Sequence, residues 1–330
     1  MAEEPGARPP AAEEVKKRPP LLLELVTRLV KEKPLGTIGG VIVLVLFLTG
    51  VFADLLAPFG YNEIMLGDRL DPPSGTHLLG ADNLGRDLLS RIIYGARISM
   101  YVGLGATTIG TFFNLIIGTI SGYFGGKIDL TIQRFTDAFM CIPFLFIILT
   151  IMSIVGPGLW QVIFIIGGIY GFHGGIRVIR SAVIGIKENM YVEAAKAIGS
   201  PAPRIMIQHM LPNIMPVVII TFTMRMGSAI LMESMISFLG FGIPPPIPSW
   251  GGMLSGSGRQ YMLLAPWMAL WPGLALATVV YGVNMLGDAL RDLLDPRLRG
   301  GLGRFGGVGK QKSKKAEQAG VTSQESYGSK

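Results

Sequence analysis

Long apolar runs set apart by short polar ones form the pattern of this chain. No Asp, Glu, Lys or Arg occurs in 36–53, 98–126, 138–176 or 260–287. A helix needs about 20 mostly apolar residues to cross about 30 Å of hydrocarbon, so these runs predict membrane-spanning helices. Six spans are expected, at 36–56, 98–124, 130–155, 159–182, 211–236 and 263–289. The run 138–176 supplies parts of two, because Gly156-Pro157-Gly158 interrupts a stretch too long for one crossing.

Polar segments separate and flank the spans. The segment 57–97 carries Leu79-Gly80-Ala81-Asp82-Asn83-Leu84-Gly85-Arg86-Asp87. The segment 239–262 carries Pro244-Pro245-Pro246 and Pro248-Ser249-Trp250-Gly251, whose prolines predict an extended cap or a re-entrant turn. Ahead of the first span, 1–20 is rich in Pro, Ala and Glu and predicts disorder. Residues 21–33 read as an amphipathic helix, with Leu21, Leu22, Leu25, Leu29 and Val30 on one side and Arg28, Lys31 and Lys33 on the other. It either lies in the membrane interface or extends the first span. The Gly-, Ser- and Lys-rich tail after Arg299 predicts no fixed structure. Within the spans, Gly118, Gly122 and Gly126, then Gly167, Gly171 and Gly175, recur every four residues, a spacing that lets helices approach closely. Such rows serve either a sliding interface or ordinary packing.

Composition agrees with a membrane protein. Charged residues are 15% of the chain, against about 25% in soluble domains. The first 35 residues open with Glu3, Glu4, Glu13 and Glu14 and show no small-residue cleavage site, so the first span is expected to stay as an anchor. Cys141 is the single cysteine and excludes an intrachain disulfide. The net charge of +7 comes from basic residues that flank spans, which argues against nucleic acid as a partner. Seven Lys and Arg precede the first span, five lie in 177–204 and eight in 291–315. The segment 57–97 has four and 237–262 only Arg259. Positive-inside bias therefore predicts cytoplasmic termini and a cytoplasmic 183–210 loop.

That loop is the most specific part of the sequence. Residues 188–198 predict a helix, stopped by Gly199. Ser200 is expected to cap a second short helix starting at Pro201, and Pro212 to open the fifth span. Ala194 and Ala195 suit a helix lying in another protein's groove, where Glu193 meets a basic group.

Glu193-Ala194-Ala195, three residues, Gly199, eleven residues and Leu211-Pro212 resemble the coupling-loop signature of ABC-importer permeases. His209 stands where that signature has isoleucine, and the run Gln208-His209-Met210-Leu211-Pro212-Asn213 is similar to the peptide-importer branch. Further runs resemble the second permease subunit of dipeptide/oligopeptide importers, in order over about 30–300. They are the 79–87 run, Tyr94-Gly95-Ala96-Arg97-Ile98-Ser99, Ser237-Phe238-Leu239-Gly240-Phe241-Gly242, Pro248-Ser249-Trp250-Gly251, and Asn284-Met285-Leu286-Gly287-Asp288 with Leu294-Asp295-Pro296-Arg297.

The resemblance implies an all-α integral membrane protein with six transmembrane helices and the type I ABC importer permease fold. Its parts are a tail at 1–35, a first span at 36–56, an extracytoplasmic segment at 57–97, a type-1 core at 98–289 and a tail at 290–330. It implies a multi-pass cytoplasmic-membrane subunit, ATPase coupling through Glu193, Ala194, Ala195, Gly199, Leu211 and Pro212, and a cargo of dipeptides or oligopeptides. Expected partners are a homologous permease, two ATP-binding subunits, an extracytoplasmic solute-binding protein and lipid. The same branch also takes nickel, glutathione and oligosaccharides.

Catalytic chemistry is not expected in the chain itself. Gly309-Lys310 fails as a phosphate loop, since Arg304 replaces the first glycine and Gln311 the Ser or Thr. ATP is therefore expected to be used by partner subunits, with no cofactor here. His77, His173 and His209 lie far apart and predict no metal site. No Gly-x-Ser-x-Gly elbow is present. Arg225 and Glu233, about 12 Å apart along one helix, either line a pathway or pair with neighbouring helices. Arg134 and Asp137 are expected at the interface. An ion-coupled transporter would need more intramembrane acids than Glu233, and a membrane enzyme would need clustered His, Asp or Glu.

Overall fold

The computed structural model describes residues 21–64 and 68–294, and these fold into helices, with one isolated bridge between Ala81 and Asp87. The Pro/Ala/Glu-rich stretch 1–20, the run Asp295-Pro296-Arg297 and the tail after Arg299 lie outside the described residues. The helices are α1 (Leu21–Glu32), α2 (Pro34–Val51), α3 (Ala53–Leu56), α4 (Leu88–Phe124), α5 (Gly126–Cys141), α6 (Phe144–Val155) and α7 (Leu159–Phe172). They continue with α8 (Gly175–Lys187), α9 (Met190–Ala197), α10 (Ala202–Ile205), α11 (Leu211–Phe238), α12 (Trp250–Leu254), α13 (Gly256–Gln260) and α14 (Trp267–Leu294). Among the described residues four helices are long and apolar enough to cross a membrane: α2, α4, α14, and the continuous run Ala202–Phe238. Two bent pairs, α5 with α6 and α7 with α8, raise the number to six if each pair is one span.

The departures from the expected boundaries have local causes. The α1 helix is separate from α2 at Lys33, and Pro34 takes the first position of α2. The α4 helix begins ten residues before the expected 98, because Asp87 caps it by accepting a hydrogen bond from the Ser90 amide at 2.8 Å. Arg91 and Arg97, read as loop charges, are held within this helix by partners on other segments. The expected span 130–155 bends by 84° before Phe144. Pro143 lacks a backbone donor and holds Ile142 extended, at φ −94° and ψ 128°. The expected span 159–182 bends by 44° at His173-Gly174, where Gly174 has φ +68°. Pro201, with extended backbone, caps the short α10 in place of Ser200. A π-helical turn, Met206–Met210, then joins α10 to α11 without a break, so Pro212 does not open a separate span. In 239–262, irregular chain lasts only through Pro248. Ser249 then caps α12, accepting from the Gly252 amide at 3.1 Å.

The α4 helix, about 55 Å long, is the spine, packed against α2, α7, α8 and α11. Glycines make those approaches close. A Cβ on Gly118 would lie 2.9 Å from the Ile176 carbonyl, and one on Gly122 2.9 Å from the Arg180 carbonyl. From the other side, one on Gly167 would lie 2.9 Å from the Ala106 carbonyl, and one on Gly171 2.7 Å from Phe113 Cβ. Both predicted glycine rows thus face α4's contacts with α7 and α8. Gly126 is the exception, lying past the end of α4 in open space.

Backbone on backbone cannot yield as a flexible side chain can. Gly167→Leu is expected to destabilise the protein by about 3 kcal/mol, at the upper end of overpacking costs. Gly168→Leu, where nothing lies within 4 Å, should leave stability unchanged. Thermal unfolding of the two variants in detergent checks this, and equal melting temperatures would refute the close-packed interface.

Candidate functional site

The chain has two polar ends. The loop end carries α9 and the chain ends of the bundle, since Lys33 Nζ donates to Asp292 Oδ2 at 2.5 Å. The capped end carries 57–64, 68–87 and 240–266, and there Trp267 Nε1, at the start of α14, donates to the Ala81 carbonyl at 3.4 Å. A second indole, Trp250 Nε1, donates to the Ile92 carbonyl of α4 at 3.1 Å.

At the loop end, α9 spans Met190–Ala197, shorter at both ends than the expected 188–198. Gly199 stops it at φ +80°, where the Ser200 amide donates back to the Ala195 carbonyl at 3.0 Å and the Gly199 amide to the Lys196 carbonyl at 2.9 Å. Val192 and Ala195 are buried against Ile179 and Val183 of α8, Ile205 and Met210 of the following run, and Ile214 and Val218 of α11. Met190, Glu193, Ala194 and Ala197 share the opposite, exposed face. Met190 is 86% exposed and Ile198, just beyond, 82%. Ala195 therefore packs within this chain. Among the described residues Glu193 enters no ion pair. Leu211 is half-buried and Pro212 exposed at the start of α11.

Beyond Arg134 and Asp137, several groups near α9 were not singled out from the sequence. Lys187 of α8 and Lys196 of α9 each lie 5.8 Å from the Tyr123 ring centre at the end of α4, and Lys187 Nζ donates to the Tyr123 carbonyl at 2.6 Å. Arg180 of α8 grips Asp129 of α5 through two hydrogen bonds of 2.6 and 2.5 Å, and Ser121 Oγ donates to the same carboxylate at 2.6 Å. Asp137 pairs with Arg177 and, at 3.5 Å, with Arg134. The sequence signal for these was only the clustering of charge at span ends, which also fits orientation alone.

Arg225 and Glu233 do not meet each other. Glu233 is fully buried, its Oε1 accepting from Ser237 Oγ at 2.7 Å and its Oε2 from Ser234 Oγ at 3.3 Å. Arg225 donates from Nη1 to the Tyr170 carbonyl at 2.7 Å and from Nη2 to the His173 carbonyl at 2.8 Å. Both groups are thus partnered inside the protein.

At the capped end, the 79–87 run is a charged knot. Asp82 accepts from the Leu84 and Arg86 amides at 2.8 and 3.0 Å and from Arg86 Nε at 2.7 Å. Arg91 Nε lies 3.6 Å from the same carboxylate, and its Nη1 donates to the Tyr61 carbonyl at 2.9 Å. His77 Nδ1 and Asp87 Oδ1 are 3.0 Å apart, both side chains buried. Arg97 binds Asp54 at 2.7 Å, and that hydrogen bond holds the Asp54 carboxyl below the ordinary carboxylate value. Any stability from this exposed clip is present above the ordinary value and is lost only as pH falls through the lowered one. Among the described residues no three His, Cys, Asp or Glu side chains gather as a metal site.

Apolar helices of spanning length, packed through glycines and closed by polar ends, define a multi-pass integral membrane protein. A family model described as "Binding-protein-dependent transport system inner membrane component" matches residues 114–300, and "N-terminal TM domain of oligopeptide transport permease C" matches 22–73. The dipeptide transport system permease protein DppC of Alkalihalophilus pseudofirmus is 39% identical over 303 residues, covering 91% of this chain and 97% of that protein. The oligopeptide transport system permease protein OppC of Bacillus subtilis is 32% identical, again over 91% of this chain and 97% of that protein. The glutathione transport system permease protein GsiD of Pectobacterium atrosepticum is 35% identical over 79% of this chain and 86% of that protein. A chain from the solved MetNI methionine ABC transporter in inward-facing conformations aligns at TM-score 0.47 and 17% identity, over 62% of this chain and 96% of that one. The chain belongs to the binding-protein-dependent permease family of ABC importers, in its dipeptide and oligopeptide branch.

Proposed function

We propose that this chain is one of two permease subunits of an ATP-driven importer in the cytoplasmic membrane, moving dipeptides or oligopeptides by alternating access. Its loop end and both termini face the cytoplasm, where positive-inside bias puts them. Two separate subunits bind and hydrolyse ATP, and an extracytoplasmic binding protein delivers cargo to the capped end. The α9 face carries this reading: two large apolar side chains, Met190 and Ile198, stand exposed beside Glu193 and Ala194 on a helix whose other side is fixed in the bundle. A helix in that position suits docking, and its displacement would be passed to α8 and α11, biasing two packings of the spans. A glutathione cargo is the second reading, supported by the glutathione permease among the relatives.

Affinity purification of the tagged chain from its native membrane is expected to bring down a second permease and an ATP-binding subunit in stable amounts. Recovery of the chain alone, in mild detergent and with nucleotide present, would sink the importer reading.

A further inference from the structure

The bend between α7 and α8 leaves a problem that a membrane makes acute. The last carbonyls of a helix have no partner within it, and hydrocarbon offers no water to take them. Here α7 ends at Phe172 and α8 starts at Gly175, so the carbonyls of Tyr170 and His173 face the break, where His173 accepts from the Gly175 amide at 2.7 Å. Arg225 comes from α11 to meet both, Nη1 to Tyr170 and Nη2 to His173, and Asn114 Nδ2 of α4 adds a second donor to Tyr170 at 3.2 Å. The guanidinium also lies 5.2 Å from the Tyr170 ring centre. Among the described residues it has no carboxylate partner, so its charge is set against the negative end of the α7 dipole.

Gly175 makes room for this arrangement. A Cβ there would lie 2.5 Å from Asn114 Nδ2 and 2.7 Å from Arg225 Nη2. The third glycine of the predicted row is therefore spent on admitting two donors as well as on helix contact.

The placement closes a triangle. From the bend, α8 runs to α9, and from α9 the run Ala202–Phe238 returns to Arg225. The α9 corner is fixed by the buried cluster around Val192 and Ala195. The far corner is the bend, where the two sides are joined by Arg225. Were that corner loose, a push on α9 would open or close the bend and die there.

We propose that Arg225 is a positioning residue for transport: it locks the α7/α8 bend to α11, so that α8, α9 and α11 move as one body. This rests on the importer reading for its meaning, and on the hydrogen bonds alone for its geometry. Asn114 supports the same corner from α4.

The test uses the assembled transporter in proteoliposomes, with radiolabelled dialanine as cargo and ATP hydrolysis followed in the same vesicles. Arg225→Met is expected to keep ATP hydrolysis within about twofold while cargo moved per ATP falls about tenfold, within the range by which coupled sites bias one another. Arg225→Lys, which keeps the charge and loses the fork, should restore part of that ratio. A ratio unchanged in Arg225→Met, or uptake and hydrolysis falling together with the amount assembled, overturns the proposal. A second measurement needs no transport: spin labels at Gly185 on α8 and Met215 on α11, in the purified complex carrying Arg225→Lys. Their distance distribution should broaden relative to the wild type, and an equally narrow one overturns the lock. If the wild-type complex shows no ATP-driven uptake, the importer reading fails, whereas the spin-label result still decides the lock.

Discussion

Exchanging Glu193 for arginine should nearly abolish uptake while the chain still inserts and folds. Its side chain stands on the exposed face of α9 and enters no ion pair among the described residues, so the reversal removes nothing from the fold. At a docking face with a basic partner the same change replaces attraction by repulsion. Losing one partner of a buried charge pair costs about 2 kcal/mol or more, or roughly thirtyfold in affinity. Uptake in whole cells should fall by at least that factor, and tagged Glu193→Arg protein should bring down less of the ATP-binding subunit. Melting temperature in detergent serves as the control and should not move. Wild-type uptake by this variant would remove Glu193 from the coupling role.

Asp82→Ala should be the most damaging single change at the capped end. Its carboxylate is shared by Arg86 and Arg91, whose side chains are 10% and 8% exposed, and it also holds two backbone amides. Removing it leaves two cations buried without their counter-charge, a loss of about 3–5 kcal/mol. Asp82→Asn keeps an oxygen for the Leu84 and Arg86 amides and should cost less. The expected outcome is rapid proteolytic cleavage within 57–87 for Asp82→Ala, intermediate for Asp82→Asn, together with a lowered melting temperature. Equal protease resistance in all three proteins would mean that the knot does not depend on this charge.

Much of this architecture was readable from residue patterns, because hydrocarbon imposes a simple rule. Charge-free runs must cross or break, and all of the two glycine rows but Gly126 lie where helices meet. What escaped the pattern were places where a polar group pairs across the sequence. Arg91 and Arg97 looked like loop charges because their partners, Asp82 and the Tyr61 carbonyl for the first and Asp54 and the Gly50 carbonyl for the second, lie outside α4. The 84° bend before Phe144 had a legible cause in Pro143, but the apolar run on both sides masked it. Helix-favouring residues ahead of Gly199 placed α9 to within two residues at either end, yet could not say which small residue faces inward. Ala195 is buried and Ala194 exposed because α9 lies on α8 through Val192, a fact of tertiary packing. Arg225 and Glu233 were visible as costly charges, whereas their acceptors and donors are carbonyls and hydroxyls that carry no sequence signal.

The length of α4 has one more implication. A single unbroken helix runs from Asp87, inside the charged knot, to Tyr123 and the two lysines beside α9. An uninterrupted helix has no residue with free dihedrals at which to fold, so a tilt imposed at one end is a tilt at the other. On the importer reading, the arrival of a loaded binding protein and the binding of nucleotide are messages delivered to opposite tips of one rod. No relay of side chains is needed to carry them past each other.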